Sequence, residues 1–374
     1  MRDTPPRERE AYRLVIREIH RRGLQAGDKL PPQETLRQAF GVSNLILSRA
    51  MERLVADGVL VRKTRVGTVI VDPDAVDLSA WTVALPLNWP LRQGPWPFYA
   101  QLVTMLLQEL GSTGCHCRTY TRMIARGNKN DLLADYANLP EDIADGQVDA
   151  ILSPGSFVEN DLQTLRDRTI PVCFATAWEG APRGILIDNY EFAHTAANVL
   201  LEKGRQRIGI VANGFDPGYN MHMLNGAKAA VDQHANKELI VVDTPARAIE
   251  GGQLAAEQLL TQPTDARPDG LIVADDHIAL GLTQTLAGNS GYRPELAATT
   301  HQTVPLTFPL PVLHFQLDDH EFAHRAVSIL IDHLKNPELP DRVESLVPRL
   351  LGQDGVHLST TIHEDRHATV TVSA

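Results

Sequence analysis

The sequence predicts an α/β protein in which a small N-terminal winged helix-turn-helix precedes two doubly wound lobes with parallel sheets. Two observations carry most of this prediction. In residues 1–72, helical apolar spacing gives way to two β-rich runs around a basic turn. From Trp81 onward, strand-like apolar runs alternate with amphipathic helical stretches over about 275 residues, which is large for one sheet and favours two lobes.

The first helix is predicted from an apolar stripe in AYRLVIREIHRRG. Ala11, Leu14, Val15 and Ile19 recur at helical spacing, and Gly23 ends the pattern. A loop, LQAGDKLPP, separates this helix from the next one.

A helix-turn-helix follows. The prolines at 31–32 precede a short helix, QETLRQAF, which Gly41 ends, and Ser43 is placed to cap a third helix that runs to Gly58. The third helix has an inward apolar stripe that consists of Leu47, Ala50, Met51 and Leu54. The runs in VLVRKTRVGTVIV predict a hairpin, so residues 1–72 are predicted to form a winged helix-turn-helix, here called the head.

The rest of the chain divides into a linker, a body and a tail. Residues 73–80 lack apolar periodicity and are rich in Asp, which predicts a flexible joint; the body is assigned to 81–355 and the tail to 356–374. In doubly wound lobes, ligands bind at the carboxyl ends of the strands, in the cleft between the lobes. The predicted strands lie in WTVALPL, VDAILSP, IPVCFAT, GILIDN, RIGIVAN, LIVVDT, GLIVAD, LAATTH and LHFQL.

Composition indicates a globular protein of the cytoplasm. The chain is 43% hydrophobic and 22% charged, and it contains neither a transmembrane-length apolar run nor the apolar core of a signal peptide. Its three cysteines suit a reducing compartment. The CHC motif at 115–117 suggests a metal site, but the favoured interpretation is a pair of buried or edge-strand thiols, since no second ligand cluster follows at zinc spacing.

Charge is distributed unevenly between the head and the body. Residues 1–72 hold 14 Lys/Arg and 9 Asp/Glu, whereas the other 302 residues hold 21 and 37. A small basic unit on a large acidic one is typical of a DNA-binding head on a sensing body, although an excess of this size also arises by chance.

No catalytic constellation is present in the sequence. The motifs GxSxG, HExxH and GxxxxGK(S/T) are absent, and the histidines are scattered. We therefore expect neither an enzyme nor a protein that holds a cofactor or a metal ion.

Two parts of the chain resemble known families. Residues 11–71 resemble the GntR-type winged helix through AGDKLPPQETLR, GVSNLILSRAMERLVADGVL and RVGT. Residues 81–355 resemble the LacI/GalR effector domain, which is built like a periplasmic sugar-binding protein. The matches there are PFYAQLV, VDAIL, IPVCF, IDNYEFAHTAANVLLEKGRQRIGIV and PDGLIVADDHIALG. The fusion of these two parts resembles that of the arabinose repressors of Gram-positive bacteria.

The head departs from the GntR pattern at positions that contact DNA. A DNA-contacting Arg of the pattern is Glu34 here, which reverses the charge. In the third helix, two further Arg positions are Asn44 and Ser48, and the Thr pair between them is Leu45–Ile46. The resemblance therefore implies a DNA-reading helix with an unusual, nearly uncharged face.

This face can still read an A/T-rich site. Asn44 can pair bidentately with adenine, Leu45 and Ile46 can contact thymine methyl groups, and a basic wing can enter the minor groove. The alternatives are that Leu45 and Ile46 pack in the core or dock a protein, and that the wing is a solvated hairpin. The predicted DNA-binding residues are Gln33, Thr35, Ser43, Asn44, Leu45, Ile46, Ser48, Arg49, Arg62, Lys63, Arg65, Gly67 and Thr68.

The resemblance also implies an effector site in the body. It places the family's ligand-binding Asp at Asp276, for which helix capping is the alternative, and it replaces a sugar-binding Arg by Met223 and an acid by Thr176. A more apolar site would suit a deoxy sugar, a methylated sugar or a compound that is no ordinary monosaccharide. The predicted effector-binding residues are Trp96, Phe98, Trp178, Phe215, Tyr219, Met223, Asp276 and His301.

Together these features predict a cytoplasmic, homodimeric, ligand-responsive transcriptional regulator that represses a carbohydrate-utilisation operon. Its expected partners are a two-fold symmetric operator, a sugar-like effector and a second copy of the chain, with no membrane. The alternative is a sugar-sensing module whose head docks another protein.

Overall fold

The computed structural model describes residues 6–90, 97–123, 130–177, 180–213, 217–244, 246, 248–273 and 275–352. Contacts divide the chain into two compact units. The first unit contains residues 1–187 and Asp318–Leu346, and the second contains Asp188–Leu317 and the segment after Leu346. The head therefore belongs to the first unit together with one lobe, which we call lobe 1; the second unit is lobe 2.

The head has the predicted three helices and hairpin. Gly41 ends the second helix with a φ of 63°, and Ser43 Oγ accepts a hydrogen bond from the Ile46 amide at 3.3 Å, which caps the third. The first helix starts before its apolar stripe because its polar first turn is helix-forming but exposed. The elements are α1 (Pro6–Arg21), α2 (Gln33–Phe40), α3 (Asn44–Ala56), β1 (Leu60–Lys63) and β2 (Gly67–Ile70).

Both lobes have the predicted strand–helix alternation. The body elements are β3 (Thr82–Pro90), α4 (Pro97–Thr113), β4 (His116–Arg122), α5 (Leu139–Ala144), β5 (Ala150–Ser153), α6 (Glu159–Asp167), β6 (Val172–Phe174), β7 (Gly184–Ile187), α7 (Asn189–Glu202), β8 (Arg207–Asn213), α8 (Pro217–Val231), β9 (Glu238–Thr244), α9 (Ala248–Thr261), β10 (Gly270–Val273), α10 (Asp276–Ala287), β11 (Glu295–His301), β12 (Val312–Leu317), α11 (Asp319–Lys335), β13 (Val343–Leu346) and β14 (Arg349–Leu350).

Each lobe contains one six-stranded sheet. The strand order is β13-β7-β6-β5-β3-β4 in lobe 1 and β14-β12-β11-β10-β8-β9 in lobe 2, and all described pairs are parallel except β12 with β14. Central strands such as Ala150–Ser153 and Gly270–Val273 are buried along their whole length, as expected for sheets covered on both faces. This arrangement confirms the predicted fold class.

The CHC motif lies at the edge of the lobe 1 sheet. Its last two residues begin β4, an edge strand that the apolar pattern did not predict, because this strand is largely polar and exposes both Arg118 and Thr119. Cys115 is buried and Cys117 is half-buried. Burial raises the pKa of both thiols, that of Cys117 to about 11. The interpretation of the motif as buried or edge-strand thiols is confirmed.

The segment predicted to be a flexible joint is held by hydrogen bonds. Tyr12 Oη accepts a hydrogen bond from the Asp77 amide at 3.0 Å and donates one to Asp57 Oδ2 at 2.9 Å. The Tyr12 ring also packs edge-on against the fully buried Trp81, with ring centroids 6.0 Å apart. A buried tyrosine of the head thus holds the middle of this segment, at Asp77, and packs against the residue that follows it.

Charged pairs join α1 to lobe 1. Arg13 forms a buried ion pair with Asp149, the residue before β5, and Asp149 Oδ2 also accepts the Thr82 amide at 2.8 Å. Burial raises the pKa of Asp149, and the Arg13 guanidinium offsets part of that rise. Near the other end of the joint, Lys335 Nζ lies 3.0 Å from Asp74 Oδ1. The helix α1 is thus buried on two sides, by the head and by lobe 1.

In lobe 2, glycines bring neighbouring helices close together. A Cβ at Gly226 of α8 would lie 2.1 Å from the Tyr190 carbonyl oxygen of α7, and one at Gly281 of α10 would lie 1.9 Å from the Ile249 carbonyl oxygen of α9. A side chain at either position would clash with backbone, so only glycine permits this close packing of α7 with α8 and of α9 with α10. No described helix is both long and apolar enough to cross a membrane.

Candidate nucleic-acid interface and effector-site residues

The predicted reading face of α3 is exposed. Leu45 is 63% exposed, Asn44 is exposed, and Ile46 and Ser48 are half-buried. The predicted inward stripe is buried on the opposite side. Core packing therefore does not account for Leu45, and an apolar residue this open at the start of a helix is available to a partner.

The first residues of α2 and α3 are joined at this face. Gln33 Nε2 donates a hydrogen bond to Asn44 Oδ1 at 2.9 Å. Thr35 is exposed on α2, and the Ser43 hydroxyl, which accepts the capping bond, donates to no acceptor among the described residues. The two helices therefore present amide and hydroxyl groups rather than arginines.

The charge reversal at Glu34 is locally neutralised. Arg37 forms two hydrogen bonds to the Glu34 carboxylate, at 2.8 and 2.6 Å, and Gln38 forms a third at 2.8 Å. These hydrogen bonds lower the pKa of Glu34 to about 2, and those from Arg37 have the largest effect. The Glu34 carboxylate is therefore ionised, and its charge is paired with the Arg37 guanidinium. Sequence analysis missed Arg37, although its i,i+3 spacing from Glu34 is the signal for such a pair.

Arg49 also has a carboxylate partner. Its Nη1 lies 2.6 Å from Glu8 Oε1, and this ion pair raises the pKa of the guanidinium. An exposed pair of this kind is weak, so Arg49 can exchange Glu8 for a phosphate at little cost.

The wing is a two-stranded hairpin with an exposed basic tip. Arg62, Lys63 and Arg65 are exposed, and no described carboxylate forms an ion pair with any of them. Gly67 has a φ of 110°, which favours glycine, and the half-buried Thr68 accepts the Leu30 amide through its carbonyl oxygen at 3.0 Å. This bond holds the hairpin against the rest of the head, while the cations remain in solvent.

Lobe 2 has a buried carboxylate at the start of α10. The helix cap is Asp275, whose Oδ1 accepts the Ile278 amide at 2.9 Å, so the capping alternative for Asp276 is wrong. Asp276 is 3% exposed, its Oδ1 lies 2.7 Å from His277 Nδ1, and its Oδ2 has no partner among the described residues. The hydrogen bond to Asp276 raises the pKa of His277.

The neighbouring strand β11 ends in more polar groups. Val273 at the end of β10 pairs with Ala298, so the residues after Ala298 extend past that end. The hydroxyls of Thr299 and Thr300 are buried and have no partner among the described residues, and His301 is half-buried. Sequence analysis missed Thr299. It could have been found from its position near the carboxyl end of a predicted strand, where ligands of doubly wound lobes bind.

Of the other predicted effector residues, the structure describes the side chains of Met223 and Phe98. Met223 is fully buried in the core of lobe 2, so it has no surface to offer a ligand. Phe98 is half-buried near the start of α4 in lobe 1, and its ring lies 5.5 Å from that of Tyr99. Trp96, Trp178, Phe215 and the side chain of Tyr219 lie outside the described residues.

Comparisons with known proteins match the two parts separately. Residues 7–70 match the model of bacterial regulatory proteins of the gntR family, and residues 197–352 match that of the periplasmic binding protein-like domain. No curated protein matches the chain.

Solved structures match the fold at low identity. The Cra transcriptional dual regulator from Pseudomonas putida, in complex with fructose 1-phosphate, is 17% identical over 72% of this chain and 97% of its own, with a TM-score of 0.56. A LacI family transcriptional regulator from Enterococcus faecium with bound ribose is 19% identical over 72% and 97%, with a TM-score of 0.55. The Escherichia coli transcriptional repressor ascG is 16% identical over 74% and 100%, with a TM-score of 0.56.

These likenesses agree with the geometry of the two parts. The matched head is the part with the exposed α3 face and the basic wing, whose cations form no ion pair with a described carboxylate, and the body has two lobes with mainly parallel sheets, as in the solved regulators. The chain is thus a DNA-binding transcriptional regulator in which a GntR-type winged helix-turn-helix is joined to a body of the periplasmic-binding-protein-like fold found in LacI-family regulators.

Proposed function

We propose that this regulator acts in the cytoplasm as a homodimer on a two-fold symmetric, A/T-rich operator and represses a carbohydrate-utilisation operon, as the arabinose repressors do. The observation that carries the proposal is the exposed face of α3 beside a wing whose cations lack described carboxylate partners. Residues 1–72 would serve as the DNA-binding domain, 73–80 as the joint, 81–355 as the effector and dimerisation body, and 356–374 as the tail.

The composition of the reading face supports direct readout of bases. Leu45 and Ile46 can contact thymine methyl groups, Asn44 and Gln33 can hydrogen-bond to base edges, and Ser43 and Ser48 can donate to phosphate. The wing and Arg49 would supply the electrostatic attraction that holds the head to the duplex.

The buried polar atoms at the carboxyl edge of the lobe 2 sheet support the proposal of a polyhydroxylated or similarly polar effector. Asp276 Oδ2 and the hydroxyls of Thr299 and Thr300 are buried without described partners, and buried polar atoms of this kind are costly unless something binds to them. Asp276 can accept two hydroxyl hydrogens at one oxygen. The relatives solved with fructose 1-phosphate and ribose make a sugar or a sugar phosphate the class to test first.

Selection of bound duplexes from a random pool, followed by a salt series, tests the proposal. A DNA-binding head should return a two-fold symmetric motif, and log affinity should fall steeply with log salt, by about 0.9 per neutralised phosphate. No motif together with a flat salt dependence would contradict DNA recognition and would favour the alternative in which the head docks a protein.

Ile46 provides a specific test of apolar readout. We expect Ile46→Ala to relax the preference at one thymine by roughly 1–3 kcal/mol without changing the salt slope, because it removes a methyl contact and no charge. Ile46→Arg should instead raise affinity for all sequences. The measurement is duplex selection with each full-length variant. Unfolding of the head by Ile46→Ala would show that the side chain is a core residue.

Asp276 provides the test of the effector site. We expect Asp276→Asn to reduce stabilisation by a responsive sugar or sugar phosphate, because a hydrogen bond to a charged group contributes roughly 1.5–3 kcal/mol, or about one to two decades of affinity. Thermal shift against a panel of such compounds measures this effect, since a ligand stabilises the state that it binds. Asp232→Asn is the matched control, since that exposed carboxylate in the same lobe pairs with Lys228. An unchanged response of the Asp276 variant would remove Asp276 from the site.

A further inference from the structure

The hydrogen bond between Gln33 and Asn44 is a feature that neither the family pattern nor the proposed function assigns. Each residue is the first of its helix, α2 and α3, so the bond crosses the helix-turn-helix at the end that faces outward. Gln33 is half-buried and Asn44 is exposed. Two amides held in contact at the reading face restrict each other's orientation.

The bond decides which groups remain available to DNA. Each amide has two N–H donors and one oxygen with two lone pairs. Because Gln33 Nε2 donates to Asn44 Oδ1 at 2.9 Å, Gln33 Oε1 remains as an acceptor and Asn44 Nδ2 remains as a donor. If both amides turned over together, the pair would still present one acceptor and one donor.

One base edge matches that combination in the major groove. Adenine presents the N6 donor next to the N7 acceptor, whereas guanine presents two acceptors, cytosine one donor, and thymine one acceptor beside a methyl group. An acceptor and a donor held side by side can therefore engage adenine at both atoms and any other base at only one.

We propose that Gln33 and Asn44 form a single adenine-reading unit, in which Gln33 is a specificity-determining residue that accepts from adenine N6 while Asn44 donates to N7. This inference rests on the proposed function, since it requires the head to read DNA. The neighbouring Leu45, which is 63% exposed, lies next to this unit for contact with an adjacent thymine methyl group.

Duplex selection with the full-length chain tests the unit. We expect Asn44→Ala and Gln33→Ala to relax the adenine preference at the same position of each half-site, about tenfold or more. The double variant should be no worse than either single variant, because residues that act as a unit are not additive. Gln33→Met, which keeps the aliphatic length, should behave like Gln33→Ala, and the salt slope should not change.

Gln33→Glu gives a second readout that a structural role would not produce. A carboxylate can only accept, so it would bind Asn44 Nδ2 and turn Asn44 Oδ1 outward, and two acceptors should shift the preference toward cytosine, which presents a donor. The matched control is Gln38→Ala, which removes another glutamine amide from α2, one that bonds to Glu34.

The outcomes separate this inference from the proposed function. If the unmodified chain selects no motif, DNA recognition itself fails. If it selects a motif but Gln33→Ala leaves intact the position that Asn44→Ala relaxes, the head reads DNA and the two-residue unit is overturned. Equal relaxation by Gln38→Ala would also overturn it.

Discussion

Replacing Arg62, Lys63 and Arg65 together with alanine should lower DNA affinity roughly 500-fold in 0.1 M salt, for specific and random duplexes alike. If each of the three cations neutralises one phosphate, the slope of log affinity against log salt becomes shallower by about 2.7. Since 0.1 M salt lies one decade below 1 M, where this electrostatic contribution vanishes, the change in slope corresponds to the stated loss of affinity. The structure supports this expectation because all three side chains are exposed at the hairpin and lack described carboxylate partners.

The effect should depend on position and not on net charge. A control variant with Arg166, Lys228 and Arg325 changed to alanine removes the same charge from exposed pairs of the body, which contribute little to stability. Titration of labelled duplex at several salt concentrations measures both variants. Unchanged affinity of the wing variant, or an equal loss in the control, would show that the wing does not contact DNA.

Replacing Asp149 with alanine should release the head from lobe 1. The change removes the buried carboxylate partner of the Arg13 guanidinium, so that only the exposed Glu10 remains paired with it, and it leaves the Thr82 amide without its acceptor. Removing one partner of a buried ion pair costs about 3–5 kcal/mol, because the remaining charge stays desolvated. We expect the joint at 72–80 to resist protease in the unmodified chain and to be cut on the order of 100-fold faster or more in the variant, since cleavage follows the open population.

A double replacement provides the control for this prediction. Arg13→Met with Asp149→Asn removes both charges but keeps an acceptor for the Thr82 amide, so it should be cleaved far more slowly than the Asp149→Ala variant. Time courses of limited proteolysis compare the variants. Rapid cleavage of the unmodified chain within 72–80 would show that the joint is free in solution and that the Arg13–Asp149 pair does not hold it.

The docked head has a consequence for regulation. The side of α1 that meets lobe 1 carries Arg13, whereas the reading face is formed by α3 and the wing, so docking leaves the reading face exposed. A rearrangement of lobe 1 would therefore move the head with it. We expect the Asp149→Ala variant to retain half-site binding but to lose much of its response to effector.

The helix-turn-helix and the wing were predictable because their signals are local. Gly41, Ser43 and the Gly67 turn act through backbone conformation and a short-range cap, and the stripe from Leu47 to Leu54 records which side of α3 is buried. The central strands were predictable for a similar reason, since strands covered on both faces need continuous apolar runs. The edge strand β4 has no such run and was missed.

The sequence by itself determined the two-part architecture, the elements of the head and the uncharged character of its reading helix, because periodicity, capping and residue identity are local properties. Only the tertiary structure decided which polar groups meet. It paired Gln33 with Asn44 and Arg13 with Asp149, and it enclosed Met223 in a core. These outcomes depend on packing between separate elements, and no local pattern records them.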